Sequence, residues 1–139
     1  LILFASISYY ARSCGFEEEL KMKVKIRPHI NEDGVKNPEY LIDEKLADLK
    51  NIQGLGGIKH GLDSSKKQQC EYTVFNLSAF DTVEPEMLKN KLNGIYKLYG
   101  EKYSGQQMVF IYKRKAVKVS WQDVADGKTI DLLKELQEQ

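Results

Sequence analysis

Few residues of this chain have types and spacings that suit chemistry. There are two cysteines, Cys14 and Cys70, and two histidines, His29 and His60. No Cys or His pair stands at ligand-like spacing, so no metal site is expected. Cys70 could serve as a nucleophile with His29 or His60 as its base, but nothing around it would lower a thiol pKa. The stretch from Cys70 to Phe80 is rich in Tyr, Thr, Val and Phe, and a small core residue in a strand is the expected role of Cys70. Asp81, Glu84 and Glu86 fall at a helix start, where capping and the helix dipole account for them. No catalytic residue is assigned, and the expected role is non-enzymatic with no cofactor.

Anion binding has more material. Gln53-Gly54-Leu55-Gly56-Gly57-Ile58-Lys59-His60-Gly61 could bring backbone N–H groups and the Lys59 ammonium to a phosphate. The run lacks the Gly-Lys-Ser/Thr signature of a phosphate loop, so a flexible connector is the simpler expectation. Lys21, Lys23, Lys25 and Arg27 line one face of a strand and could meet Lys113, Arg114, Lys115 and Lys118 across a sheet. Lys23, Lys25, Arg27, Lys59, Arg114 and Lys118 are the candidate anion-binding residues, with Tyr72 and Tyr112 available for stacking. The formal net charge is only +1. That balance argues against a chain devoted to polyanions and makes a protein partner the better expectation. Tyr96, Tyr99 and Tyr103 gather at a helix end, as a core stripe with solvated hydroxyls would. Asn76-Leu77-Ser78 is a formal glycosylation sequon inside a strand.

The first ten residues, Leu1 to Tyr10, carry no charge. Ala11, Ser13 and Cys14 follow, then Glu17, Glu18 and Glu19. An apolar run, small residues and then cysteine resembles the processing region of a bacterial lipoprotein precursor, and the resemblance covers residues 1–19. It implies that Cys14 is the lipid-attachment site and that the domain is tethered at the cell envelope. Ten apolar residues do not span a bilayer, which needs about 20. The same residues also describe a buried first strand, which would suit an intracellular domain binding a protein or a polyanion.

The elements that would position these groups follow from periodicity. Met22, Val24 and Ile26 alternate with the basic residues, giving a half-buried strand. Asn37-Pro38-Glu39 has the chemistry of a helix start, and Ile42, Leu46 and Leu49 continue at helical spacing towards Gly54. Cys70–Phe80 predicts a strand. Leu88, Leu92, Ile95 and Tyr99 form the buried stripe of a second helix that stops at Gly100 or Gly105. Met108–Tyr112 is apolar on both faces and predicts a central strand. Lys113-Arg114-Lys115 turns into a strand over Ala116–Trp121, although the turn lacks Gly or Asn. Thr129 starts a last helix that buries Ile130, Leu133 and Leu136.

The expectation is one α+β domain over 17–139 after an apolar segment at 1–16. Its mixed, largely antiparallel sheet has four to five strands and two or three helices mainly on one face, leaving the other face wet or free to bind. The expected function is a small cell-envelope binding or accessory domain.

Overall fold

The computed structural model describes residues 24–26, 40–42, 45–113 and 115–137, with side chains described at 42, 45–113 and 115–137. Six strands form one sheet in sequence order: β1 (Val24–Ile26), β2 (Tyr40–Ile42), β3 (Lys45–Asn51), β4 (Tyr72–Asn76), β5 (Gln107–Tyr112) and β6 (Lys115–Ser120). Pairing is parallel for β3–β4 and β4–β5, and antiparallel elsewhere. Helix α1 (Gly56–Lys67) crosses from β3 to β4, and α2 (Pro85–Tyr99) from β4 to β5. Two short helices, α3 (Trp121–Ala125) and α4 (Thr129–Leu133), follow β6. This is the α+β class that the periodicity predicts.

The strand number is six instead of four or five because the helix expected after Asn37 is two strands. Ile42, Leu46 and Leu49 fit a helical stripe, but Ala47 and Leu49 also alternate with Asp48 and Lys50. That period of two prevails once β4 supplies a parallel partner for β3, with Ala47 opposite Tyr72 and Leu49 opposite Val74.

The expected glycine-rich connector is also corrected, since α1 occupies most of it. Its glycines serve close packing. A Cβ on Gly61 would lie 2.5 Å from Phe75 Cε1, and one on Gly57 would lie 2.7 Å from Ile52 Cγ2. Helix and sheet therefore approach more closely than any larger residue permits. The helix ends in a Schellman motif. Gln69 takes the left-handed conformation (φ 60°) that glycine usually fills. Cys70 N–H donates to Ser65 O, and Gln69 N–H to Lys66 O.

One core lies between the sheet and the helices. Ile58 and Leu62 of α1, and Leu88, Leu92 and Ile95 of α2, meet Phe75, Met108, Phe110, Val117 and Val119. The rings of Phe75 and Phe110 stack at 5.3 Å. The opposite face is not wet as expected: Ala47, Leu49, Tyr72, Val74, Val109, Ile111 and Ala116 are all buried. The β5–β6 turn closes with Lys113 at φ 54°, so a lysine takes the strained position that the sequence leaves without glycine.

Candidate active site

On the helix face of β3, Asp48 and Lys50 are two residues apart and point the same way. Register places Asp48 beside Thr73 and Lys50 beside Phe75. The row therefore passes from charged to apolar as it enters the core. Lys50 Nζ lies 3.0 Å from Asp48 Oδ2. Gln68, at the end of α1, donates from Nε2 to the same Oδ2 at 3.3 Å and to Ser64 Oγ at 3.2 Å. Thr73 Oγ1 donates to Ser65 Oγ at 2.7 Å, in the buried interior. Gly61 makes room for this group, because a Cβ there would stand 3.2 Å from Lys50 Cγ.

Asp48 is 5% exposed, the one charged side chain buried among the described residues. A buried ion pair contributes little net stability, since desolvation offsets attraction. Both of its contacts fall on Oδ2, and Oδ1 has no partner among the described residues. A carboxylate oxygen with open lone pairs, next to an ammonium whose side chain is 30% exposed, can accept a proton while the ammonium stabilises a developing anion. Among the described residues, no group of three His, Cys, Asp or Glu could hold a metal ion.

The other flank of α1 carries a second charged group. Asp63 receives the Tyr103 hydroxyl and Lys102 Nζ (3.0 Å) on Oδ1, and Lys59 Nζ (2.9 Å) on Oδ2. Partial burial alone would push the Asp63 carboxyl up, but hydrogen bonds from Tyr103, Lys59 and Lys102 hold it well below the usual carboxylate range. Burial first, and Asp63 second, push the Tyr103 hydroxyl above its ordinary value. The hydrogen bond to Asp63 raises Lys59. Lys59 also sits 4.8 Å from the centre of the Tyr99 ring. This cluster ties α1 to the loop before β5.

Among the residues expected to bind anions, those described lie apart from one another. Lys25 belongs to β1 and Lys118 to β6, at opposite edges of the sheet. Five strand spacings make that about 24 Å. Lys118 lies over the Tyr72 ring at 5.4 Å. Lys59 is engaged by Asp63 instead of pointing to a phosphate. Cys14, Lys23, Arg27 and Arg114 lie outside the described residues, as do His29 and the side chains of Val24 and Ile26. Cys70 is buried at 2% exposure, in keeping with a core role, and His60 is exposed. Sequence reasoning missed Asp48, Lys50 and Gln68. The available signal was Asp48-Leu49-Lys50 read with period two, which puts carboxylate and ammonium on one face.

The Asp48–Lys50 strand lies within residues 36–117, which match the family model described as the contact-dependent growth inhibition CdiA C-terminal domain. The match spans more than half of the chain. The chain belongs to this family. One solved structure, a CdiA-CT/CdiI toxin and immunity complex from Burkholderia pseudomallei, superposes with a TM-score of 0.55 and 16% identity. The alignment covers 86% of this chain and 88% of that one, and it shows a shared fold. No curated protein matches the sequence.

Membership in the growth-inhibition family overturns two sequence expectations. The lipoprotein resemblance at residues 1–19 identified the wrong class of protein, because an apolar run before a cysteine is a generic pattern. A cell-envelope accessory role is likewise replaced by membership of a growth-inhibition family. No helix among the described residues is long and apolar enough to cross a membrane.

Proposed function

We propose that this chain is the toxic domain of a contact-dependent growth inhibition protein and that it cleaves phosphodiester bonds in nucleic acid. Asp48 is the general base and Lys50 the cation. The observation that carries this reading is the buried Asp48 carboxylate, held 3.0 Å from Lys50 with one oxygen left for a proton. Asp48 Oδ1 takes the proton of the attacking hydroxyl, which is water or a ribose 2′-hydroxyl. Oxygen attacks phosphorus, the P–O bond to the leaving strand breaks, and the leaving oxygen takes a proton from water. The Lys50 ammonium stabilises the charge on the phosphorane oxygens. Gln68 fixes the Asp48 carboxylate by its bond to Oδ2. This assigns an enzymatic role where the sequence alone suggested none.

In this reading the domain acts outside the cell that makes it and inside, or at, the cell it inhibits. Its protein partner in this reading is an immunity protein, the kind of partner present in the Burkholderia pseudomallei complex. The test incubates purified chain with total RNA, single-stranded DNA and duplex DNA, each with Mg2+ and with EDTA. Cleavage of one class by the native chain, with at least about a hundredfold loss in Lys50→Met, is expected. No cleavage of any class, or full activity in Lys50→Met, would contradict the reading.

A further inference from the structure

Asp48 removes a proton from the attacking hydroxyl, and the oxygen that leaves must gain one. We propose that His60 is the general acid that supplies it, in place of water; the proposal rests on the phosphodiesterase reading and adds the second half of its proton transfer.

His60 borders the flank of α1 that runs along β3. A Cβ on Gly57 would meet Ile52, and one on Gly61 would meet Lys50 Cγ at 3.2 Å. Gln68 Nε2 donates both to Ser64 Oγ and to Asp48 Oδ2. Positions 57, 61, 64 and 68 form one helical stripe against the strand. His60 neighbours that stripe on its solvent side, three residues after Gly57 and four before Ser64. A helical side chain leans towards the N-terminal turn. There Gly56 and Gly57 put no side chain in the way of the imidazole.

The spacing suits a base and an acid working on one phosphate. One nitrogen of Gln68 serves Ser64 and Asp48 together, so the carboxylate lies beside the turn of Ser64. His60 stands four residues earlier, about 6 Å along the helix axis. Lys50 passes Gly61 between them, with its Nζ 3.0 Å from Asp48 Oδ2. The order along the flank is base, cation, histidine. An in-line displacement places the attacking and leaving oxygens on opposite sides of phosphorus. A phosphate held at Lys50 therefore has Asp48 on one side and His60 on the other.

His60 is also free to act. It is exposed and forms no hydrogen bond or ion pair with the described residues, whereas its neighbour Lys59 is committed to Asp63. Histidine is the side chain that gives and regains a proton near neutral pH. Ser64 and Gln68 do not, and Lys50 keeps its proton to hold the phosphorane charge. As the P–O bond breaks, its electron pair goes to the leaving oxygen, which takes the imidazolium proton of His60. Asp48 then releases its proton to water and His60 takes one from water, which restores both.

The test uses the whole chain and mixed-sequence RNA and DNA oligonucleotides. Each is made with ordinary linkages and with sulfur in place of the bridging oxygen that leaves. A thiolate leaves without protonation, so the sulfur linkage does not need the acid. His60→Ala is expected to cleave ordinary linkages at least about a hundredfold more slowly and sulfur linkages within about threefold of the native rate. Its far-ultraviolet circular dichroism should stay native, since the residue is exposed. Asp48→Asn should be slow on both linkages, because the attacking hydroxyl still has a proton to lose. A native rate for His60→Ala on ordinary linkages, or an equal loss on both, would overturn the acid and leave the phosphodiesterase reading standing. Cleavage of neither linkage by the native chain would defeat that reading, and the acid with it.

Discussion

The two flanks of α1 hold a carboxylate each, in opposite circumstances. On the flank towards the loop before β5, Asp63 is half-exposed and meets two ammonium groups and a phenol. On the flank towards β3, Asp48 is buried and meets one ammonium and one amide, both on a single oxygen. Asp63 has more partners than its charge needs, and its position is explained by holding α1 in place. Asp48 has fewer, and burial makes that arrangement costly unless it does something else. The first is a clamp. The second keeps open lone pairs on one oxygen, as the proposed general base needs.

Both flanks depend on how closely α1 sits on the sheet, so the largest expected effect comes from lifting it. Gly61→Val places a side chain where Phe75 and Lys50 already stand, and should cost about 3 kcal/mol. Urea denaturation would show the midpoint falling. A near-native midpoint would mean that α1 does not rest on Phe75, and neither flank would then be as described.

Tyr103→Phe addresses the clamp alone. The ring and its contact with Trp121 remain, and the bond to the Asp63 carboxylate is lost. About 2 kcal/mol of destabilisation is expected, because the hydrogen bond is to a charged group. Phosphodiester cleavage should stay within about twofold, since the proposed catalytic residues lie on the other flank. A large loss of cleavage at unchanged stability would erase the distinction between the two flanks.

The clamp also sets a pH dependence. The carboxyl of Asp63 is lower in the folded chain than its unfolded value of about 3.9. Its contribution to stability is therefore complete above that value and declines as pH falls through the acid range. The Tyr103 hydroxyl is raised, so its contribution holds below about pH 10 and is lost at higher pH. Thermal melts from pH 2 to 5 should fall less steeply in Asp63→Asn than in the native chain. Parallel curves would show that the clamp is not titrating. The smallest effect is local: Gln69→Gly relieves the left-handed position that ends α1, and should raise stability by about 1 kcal/mol, read from the urea midpoint.

Much of the fold was legible because its elements bury one regular stripe. Leu88, Leu92 and Ile95 marked α2, and Met108–Tyr112 marked the central strand, since neither pattern has a competing reading. Residues 40–65 did not yield. Ile42, Leu46 and Leu49 fit a helix as well as a strand, and the choice is made by pairings that the local pattern does not show: β2 with β3, and β3 with β4, whose residues come some 25 positions later. Gly57 and Gly61 suggested a loop because their reason, contact with Ile52 and Phe75, is tertiary. The candidate site went unseen for the same cause. Asp48 and Lys50 share a face only if β3 is a strand, and Gln68 reaches them only once α1 exists. The basic residues are conspicuous in sequence, but their spacing does not show that β1, with Lys25, and β6, with Lys118, take the two edges of the sheet.

The most direct measurement compares Asp48→Asn with Asp63→Asn in the same cleavage assay, beside a thermal melt of each. Asparagine keeps the shape of Asp48 and can still accept from Gln68, and Lys50 is exposed enough to regain water. Asp48→Asn should therefore melt within a few degrees of the native chain and cleave at least about a hundredfold more slowly. Asp63→Asn should melt lower and cleave at close to the native rate at a temperature where it is folded. Native cleavage by Asp48→Asn, or a loss confined to Asp63→Asn, would contradict the account.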